Sequence, residues 1–170
     1  MEAFKKNLVE EIKTSDIMKL ITKTCIDLVT VENIHWEHIA GQFALMNLYK
    51  QACKNRGIEM KDVYTPAAYA KFFKDYIEKG YYYTKFMEYY SEADILEAGS
   101  WLNMKTDQEY GYTTVLSLAK RYLLNPNKVV CELPQELYLS VALFYAIPEP
   151  AGKRLEFAKK VYEYCSEQKI

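Results

Sequence analysis

With 170 residues the chain is long enough for one domain with a real core or for part of a larger assembly. Half of the residues are hydrophobic and 15% aromatic, and a formal net charge of -1 gives no long-range attraction to nucleic acid or to a membrane surface. Neither a basic-then-apolar leader nor a stretch long enough to span a bilayer is present, so the expectation is a cytoplasmic protein with reduced thiols.

The elements expected in chain order are nearly all helices. Glu2 to Glu11 is a short mixed helical pattern. Thr14 or Ser15 then caps a longer helix, with Asp16 near the positive end of its dipole and Ile17, Leu20, Ile21, Thr24, Cys25 and Leu28 facing inward. Glu32 to His35 breaks the pattern. Trp36 to Lys54 resumes it with Ile39, Phe43, Met46 and Leu48 inside and Gly57 as its stop, and so short a link predicts an antiparallel pair. Thr65-Pro66 is a cap followed by proline, and Gly80 ends the helix it starts, whose aromatic face is Tyr69, Phe72, Phe73, Tyr76 and Ile77. Tyr81 to Tyr83 reads as a connector. Ser91 to Asp94 has the spacing of a capping box and opens a helix to about Trp101.

Tyr112 to Arg121 is again helical in spacing. From Tyr122 to Cys131 the period changes. Apolar residues and Val129-Val130 flank Asn125-Pro126-Asn127-Lys128, which predicts a short β-hairpin. Pro134 starts the next helix, with Leu137, Val141, Phe144 and Tyr145 as its buried stripe, and Pro148 and Pro150 end it. Lys153 to Ser166 is the last helix, with Leu155, Ala158, Val161, Tyr162 and Cys165 inward. The fold class expected is therefore mainly α, a bundle-like helical domain with one hairpin.

Catalytic constellations are hard to find. The chain has no Gly-rich phosphate loop, and its four cysteines form no CxxC pair. His35 and His38 lack a third ligand at a familiar spacing and read as surface or capping residues, so no metal is assigned. Glu88, Glu92, Asp94 and Glu97 read as a solvated face. Cys165, near Lys159, Lys160 and Lys169, is the nearest approach to a nucleophile. Sixteen tyrosines point to rings buried at a wet-edged core, or to a surface that docks against more protein.

Three stretches carry a family resemblance: Gly111-Tyr112, Arg121-Tyr122-Leu123-Leu124 and Pro134-Gln135-Glu136. In this order they resemble the helical segment that precedes the catalytic barrel in the large (alpha) subunit of ribonucleotide reductase, class I type. The likeness extends further. Ile12 to Ile17 is similar to a segment of that family's ATP-cone, and Trp36 to Lys50 to a following helix, with Trp36, Ala40 and Lys50 matching and Gly41 and Gln42 departing from the usual Ala-Arg. Tyr76 to Tyr82 resembles a turn of the family, Asp107 an acidic residue before the Tyr-Gly helix, and Lys153 to Ile170 the last helix before the barrel.

The resemblance implies residues 1–57 as the C-terminal half of an ATP-cone-like region and 58–170 as the helical domain, packed as one unit. It implies an oxidoreductase piece supporting the reduction of ribonucleotides to deoxyribonucleotides for DNA synthesis, inactive alone, with catalytic cysteines on other polypeptide. Its partners would be the barrel-bearing remainder of the large subunit and a radical-generating small subunit, with room for a homo-oligomer and none for nucleic acid or membrane. ATP and dATP would be effectors of the full subunit rather than cofactors of this chain, with Thr14 and Lys50 at the positions of phosphate contacts; the plainer reading makes Thr14 an N-cap and Lys50 a solvated helix end. The alternative function is a non-catalytic helical interaction module derived from this domain, and a standalone ATP sensor is the weakest reading.

Overall fold

The computed structural model describes residues 14–167, with side chains from Asp16 onward. The Glu2–Glu11 helix and the side chains of Thr14 and Ser15 lie outside the described residues. Helix α1 is Thr14–Asp27 and α2 is His35–Arg56; they make the most extensive helix pair in the structure. Gly57, in the left-handed region at φ 66°, ends α2 as its glycine stop requires. A 3-10 turn at Met60–Asp62 leads to α3, Pro66–Glu78. Its N-cap is Thr65, whose hydroxyl accepts from the Ala68 amide at 3.3 Å, and Gly80 at φ 74° follows its end. All five residues of the expected aromatic face are buried.

Two short helices follow, α4 at Phe86–Tyr89 and α5 at Glu92–Gly99, the latter closed by the Ser91–Asp94 capping box. Next come α6, Met104–Asp107, and α7, Tyr112–Ser117, continued by a wider π turn over Leu118–Tyr122. The last two helices are α8, Pro134–Tyr145, and α9, Ala151–Ser166. Helix α8 joins two cores. Leu133 just before it packs with Leu45, Tyr49, Val63, Val115 and Leu123. Leu139, Ala142 and Leu143 pack with Phe73, Tyr90, Ile95 and Tyr162 on the other side.

The expected hairpin does not form, and the described residues contain no β-strand. The chain does reverse between Leu124 and Cys131, where the Leu124 carbonyl accepts from the Cys131 amide at 3.1 Å. The reciprocal bond of an antiparallel pair is lost, because the Leu124 amide donates instead to the Glu132 carboxylate at 2.8 Å. Pro126 has no N–H to give, and Asn127 and Lys128 sit in the left-handed region, so the segment closes as a 3-10 turn.

The inward faces of three helices also differ from expectation. In α8, Val141, Phe144 and Tyr145 are exposed and Leu137 half-buried, while Gln135, Glu136, Leu139, Ser140, Ala142 and Leu143 are buried. In α1, Met18 and Cys25 are buried, while Ile17, Leu20 and Leu28 are exposed. In α2, Met46 is exposed and Ile39 and Phe43 are half-buried; the stripe is Gly41, Leu45, Leu48, Tyr49, Ala52 and Cys53. These helices carry apolar residues on several sides, so periodicity alone does not select a face.

Candidate functional site

A sealed polar cluster lies between the two cores, and Asp107 is its centre. Its side chain is fully buried. Three donors reach it: the Tyr49 hydroxyl from α2, the Tyr64 hydroxyl at 2.5 Å, and the Gln135 amide nitrogen from α8 at 2.6 Å. Tyr49 and Tyr64 share one carboxylate oxygen and Gln135 takes the other, which is the donor set an ionised carboxylate wants. Burial pushes Asp107 up from 3.8 to about 6, with these three hydrogen bonds opposing the rise. The same burial, reinforced by the nearby negative charge, drives both tyrosines well above their ordinary range.

Gln135 extends the cluster to the C-terminal helix. Its amide nitrogen also donates to the Tyr110 hydroxyl at 3.2 Å, and its carbonyl oxygen accepts from Tyr162 at 2.8 Å and Ser166 at 2.6 Å, both on α9. Every hydrogen-bonding position of this buried amide is thus used. Tyr64 also accepts from the Gln135 backbone amide at 3.2 Å. Tyr64 is held at φ 60°, a conformation unfavourable for a bulky residue, and its bonds to Asp107 and Gln135 fix it there.

Two further carboxylates flank the start of α8. Glu136 accepts two bonds from one nitrogen of the Arg56 guanidinium, at 2.7 and 2.9 Å, and one from the Leu133 amide at 2.9 Å, while the other guanidinium nitrogen donates to the Ala68 carbonyl at 3.4 Å. Arg56 lies over the Phe72 ring at 4.2 Å, so the ion pair is almost fully desolvated. Glu132 accepts from the Tyr82 hydroxyl as well as from Leu124, and burial raises it from 4.5 to about 7. A glycine contact brings α2 onto this frame. A Cβ on Gly41 would lie 2.5 Å from the Tyr110 carbonyl, and Gln42 donates to the Gln108 carbonyl at 2.6 Å. Across the same contact Glu37 accepts from the Thr113 amide at 2.7 Å and so caps α7, whose own N-cap, Gly111, has no side chain to offer.

The residues singled out from sequence fall unevenly on this arrangement. Asp107, found through the resemblance, is the hub. Tyr49, Tyr64, Gln135, Glu132, Glu136 and Arg56 are not legible from sequence as a cluster. The Pro134-Gln135-Glu136 helix start is the only signal near it, and it gives no hint that the two polar side chains turn inward. Thr14 lies in the first turn of α1, and Lys50 is exposed on α2 beside the buried Tyr49. His35 and His38 are exposed, and among the described residues no three His, Cys, Asp or Glu side chains gather as a metal set. Cys25, Cys53 and Cys131 are buried free thiols; Cys165 is half-buried, and burial raises its thiol, which removes the thiolate a nucleophile needs.

Fold and site together define an all-α domain built around buried carboxylates. Residues 108–170 match the family described as ribonucleotide reductase, all-alpha domain. Along nearly its whole length the chain is similar to alpha subunits of ribonucleoside-diphosphate reductase: 31% identical over 163 residues to that of Synechocystis, 96% of this chain and 20% of the relative. The Escherichia coli subunit is 29% identical over 162 residues, 94% of this chain and 20% of the relative, and that of Treponema pallidum 27% over 169, 98% and 19%. The chain is thus similar to the N-terminal region of the ribonucleotide reductase large subunit, as the motifs implied. It spans about a fifth of the length of the curated relatives it matches.

Proposed function

We propose that the chain is the N-terminal scaffold of a ribonucleoside-diphosphate reductase large subunit, supporting deoxyribonucleotide formation with catalytic cysteines carried elsewhere. The observation behind this reading is the similarity to alpha subunits over 96% of the chain, combined with a length one-fifth of theirs. The thiols described in this structure lend it support, since three are buried and the fourth is not activated. The remainder of the large subunit and a radical-generating small subunit are the partners. Residues 1–57 form the cone-like part and 58–170 the helical domain.

Reconstitution tests the reading. The chain, a polypeptide carrying the rest of an alpha subunit and the small subunit are combined, and deoxyribonucleotide formation is measured. Activity that depends on all three is expected; activity unaffected by omission of the chain overturns the reading. A non-catalytic regulator would instead co-purify with an already intact reductase.

Thr14 and Lys50 are proposed as contacts of ATP or dATP, effectors of the full subunit. Neither nucleotide is bound tightly by this chain alone. A micromolar dissociation constant in calorimetric titration of the isolated chain would contradict that.

A further inference from the structure

Glu132 is a buried carboxylate with no cation of its own. One nitrogen of Arg56 serves both oxygens of Glu136, four positions further on, and the other donates to the Ala68 carbonyl. Glu132 is left with two neutral donors, the Tyr82 hydroxyl and the Leu124 amide at 2.8 Å. The titratable groups that face it are Arg56 from α2, Tyr69 from α3, Tyr82 just beyond α3, and Glu136 from α8. On its outer side lies an open groove under Tyr122, Phe144 and Tyr145, whose lining among the described residues holds no lysine, arginine or histidine.

The segment that Glu132 ties down has little else to fix it. Between Leu124 and Cys131, Asn127 and Lys128 are both left-handed, at φ 55° and 65°, a conformation that disfavours lysine, and Pro126 has no amide to donate. Asn127, Lys128 and Val129 are exposed. Two side-chain bonds join the turn to its surroundings: Asn55 donates to the Val130 carbonyl at 2.8 Å, and Asn125 to the Ala119 carbonyl at 3.4 Å. Beneath it the Cys131 side chain packs against Phe72 and Tyr76. So few contacts mark a segment that can open without unfolding the core.

We propose that Glu132 is a pH-sensitive latch: its protonated carboxyl keeps the turn between Leu124 and Cys131 closed, and its ionisation favours release of the turn into solvent. In the acid form the carboxyl accepts the Leu124 amide on one oxygen and meets the Tyr82 oxygen with its own hydroxyl, so no charge is buried. The ionised form keeps both donors but places a negative charge in the interior with no cation beside it, and opening the turn hydrates that charge. Burial holds the closed form at about 7, whereas an opened, hydrated Glu132 returns to 4.5. The closed state thus binds the proton more tightly. Its advantage is complete below the ordinary value and is lost as pH rises through the closed-state value.

Hydrogen exchange of the whole chain reads the latch. Protection of the Leu124 and Cys131 amides, corrected for the exchange of an unstructured chain at each pH, should fall on the order of 50-fold between about pH 5 and pH 8 and then level off. At each pH both amides should be less protected than that of Leu143 in the core. Glu132→Gln retains an acceptor for Leu124 and a donor for Tyr82 without a charge, so its protection should stay within about 3-fold over the same range. If that variant does not fold, Tyr82→Phe decides the matter. It removes a hydrogen bond that favours the ionised carboxylate and should carry the levelling-off to higher pH. Wild-type protection that is flat with pH, or that follows Leu143 throughout, overturns the latch. So does a folded Glu132→Gln that keeps the wild-type dependence, or a Tyr82→Phe profile that does not move.

Discussion

Helices α3 and α8 begin alike, each with proline in its first turn, yet their sequences are legible to different degrees. In α3 the aromatic residues lie on one side and Lys71, Lys74 and Asp75 on the other, so the spacing determines the face, and all five expected residues are buried. In α8 almost every side is apolar. The side that faces inward is the one bearing Gln135 and Glu136, because Asp107 and Arg56 wait there to receive them. Polar satisfaction outranks apolar area when the polar groups would otherwise be stranded, since an unpaired buried group costs more than one exposed ring gains.

The largest expected effect is on the hub itself. Asp107→Ala leaves Tyr49, Tyr64 and Gln135 without their acceptor and should cost about 5 kcal/mol in urea unfolding, enough to abolish a marginal fold. On the α3 side, Phe73→Ala removes a fully buried ring and should cost about 4 kcal/mol by the same measurement. If Phe73→Ala proved far more damaging than Asp107→Ala, the polar cluster would be a passenger of the apolar core rather than its organiser.

The pH dependence sharpens the contrast, because the carboxylates belong to the α8 region alone. Asp107 at about 6 and Glu132 at about 7 both lie above their ordinary values of 3.8 and 4.5. A group with a raised folded-state pKa binds its proton more tightly in the fold. Its stabilisation is complete below the ordinary value and is lost as pH rises through the folded value. Unfolding free energy should therefore fall between about pH 4 and pH 8, by on the order of 6 kcal/mol for the two groups together, and Asp107→Asn with Glu132→Gln should flatten the slope. A smaller effect, about 2 kcal/mol, is expected for Gly41→Ala, whose new methyl would meet the Tyr110 backbone at 2.5 Å. The atoms it meets at Tyr110 and Gly111 are backbone, with no side chain to swing aside, so thermal unfolding should register the shift.

What can be read in the sequence is what short-range chemistry determines. The Thr65 cap, the Ser91–Asp94 box and the glycine stops at 57 and 80 act over a few residues and stand where expected. The turn between Leu124 and Cys131 is legible as a reversal, but its ladder is lost to a carboxylate that the local pattern gives no reason to consider. The hub is illegible for a related reason. Arg56 lies 80 positions from Glu136, and Gln135 lies 28 from Asp107, so nothing in the spacing of either segment announces its partner. Family likeness supplies Asp107; only the fold supplies its company.

The orientation of α8 is tested most directly by two neighbouring residues, one buried and one exposed. Leu143 is fully buried and Phe144 is 51% exposed. In equilibrium urea unfolding of the isolated chain, Leu143→Ala should cost about 3 kcal/mol and Phe144→Ala under about 1 kcal/mol. The reverse order would show that α8 turns its aromatic side inward and leaves Gln135 and Glu136 to water, which contradicts a fold organised around buried carboxylates.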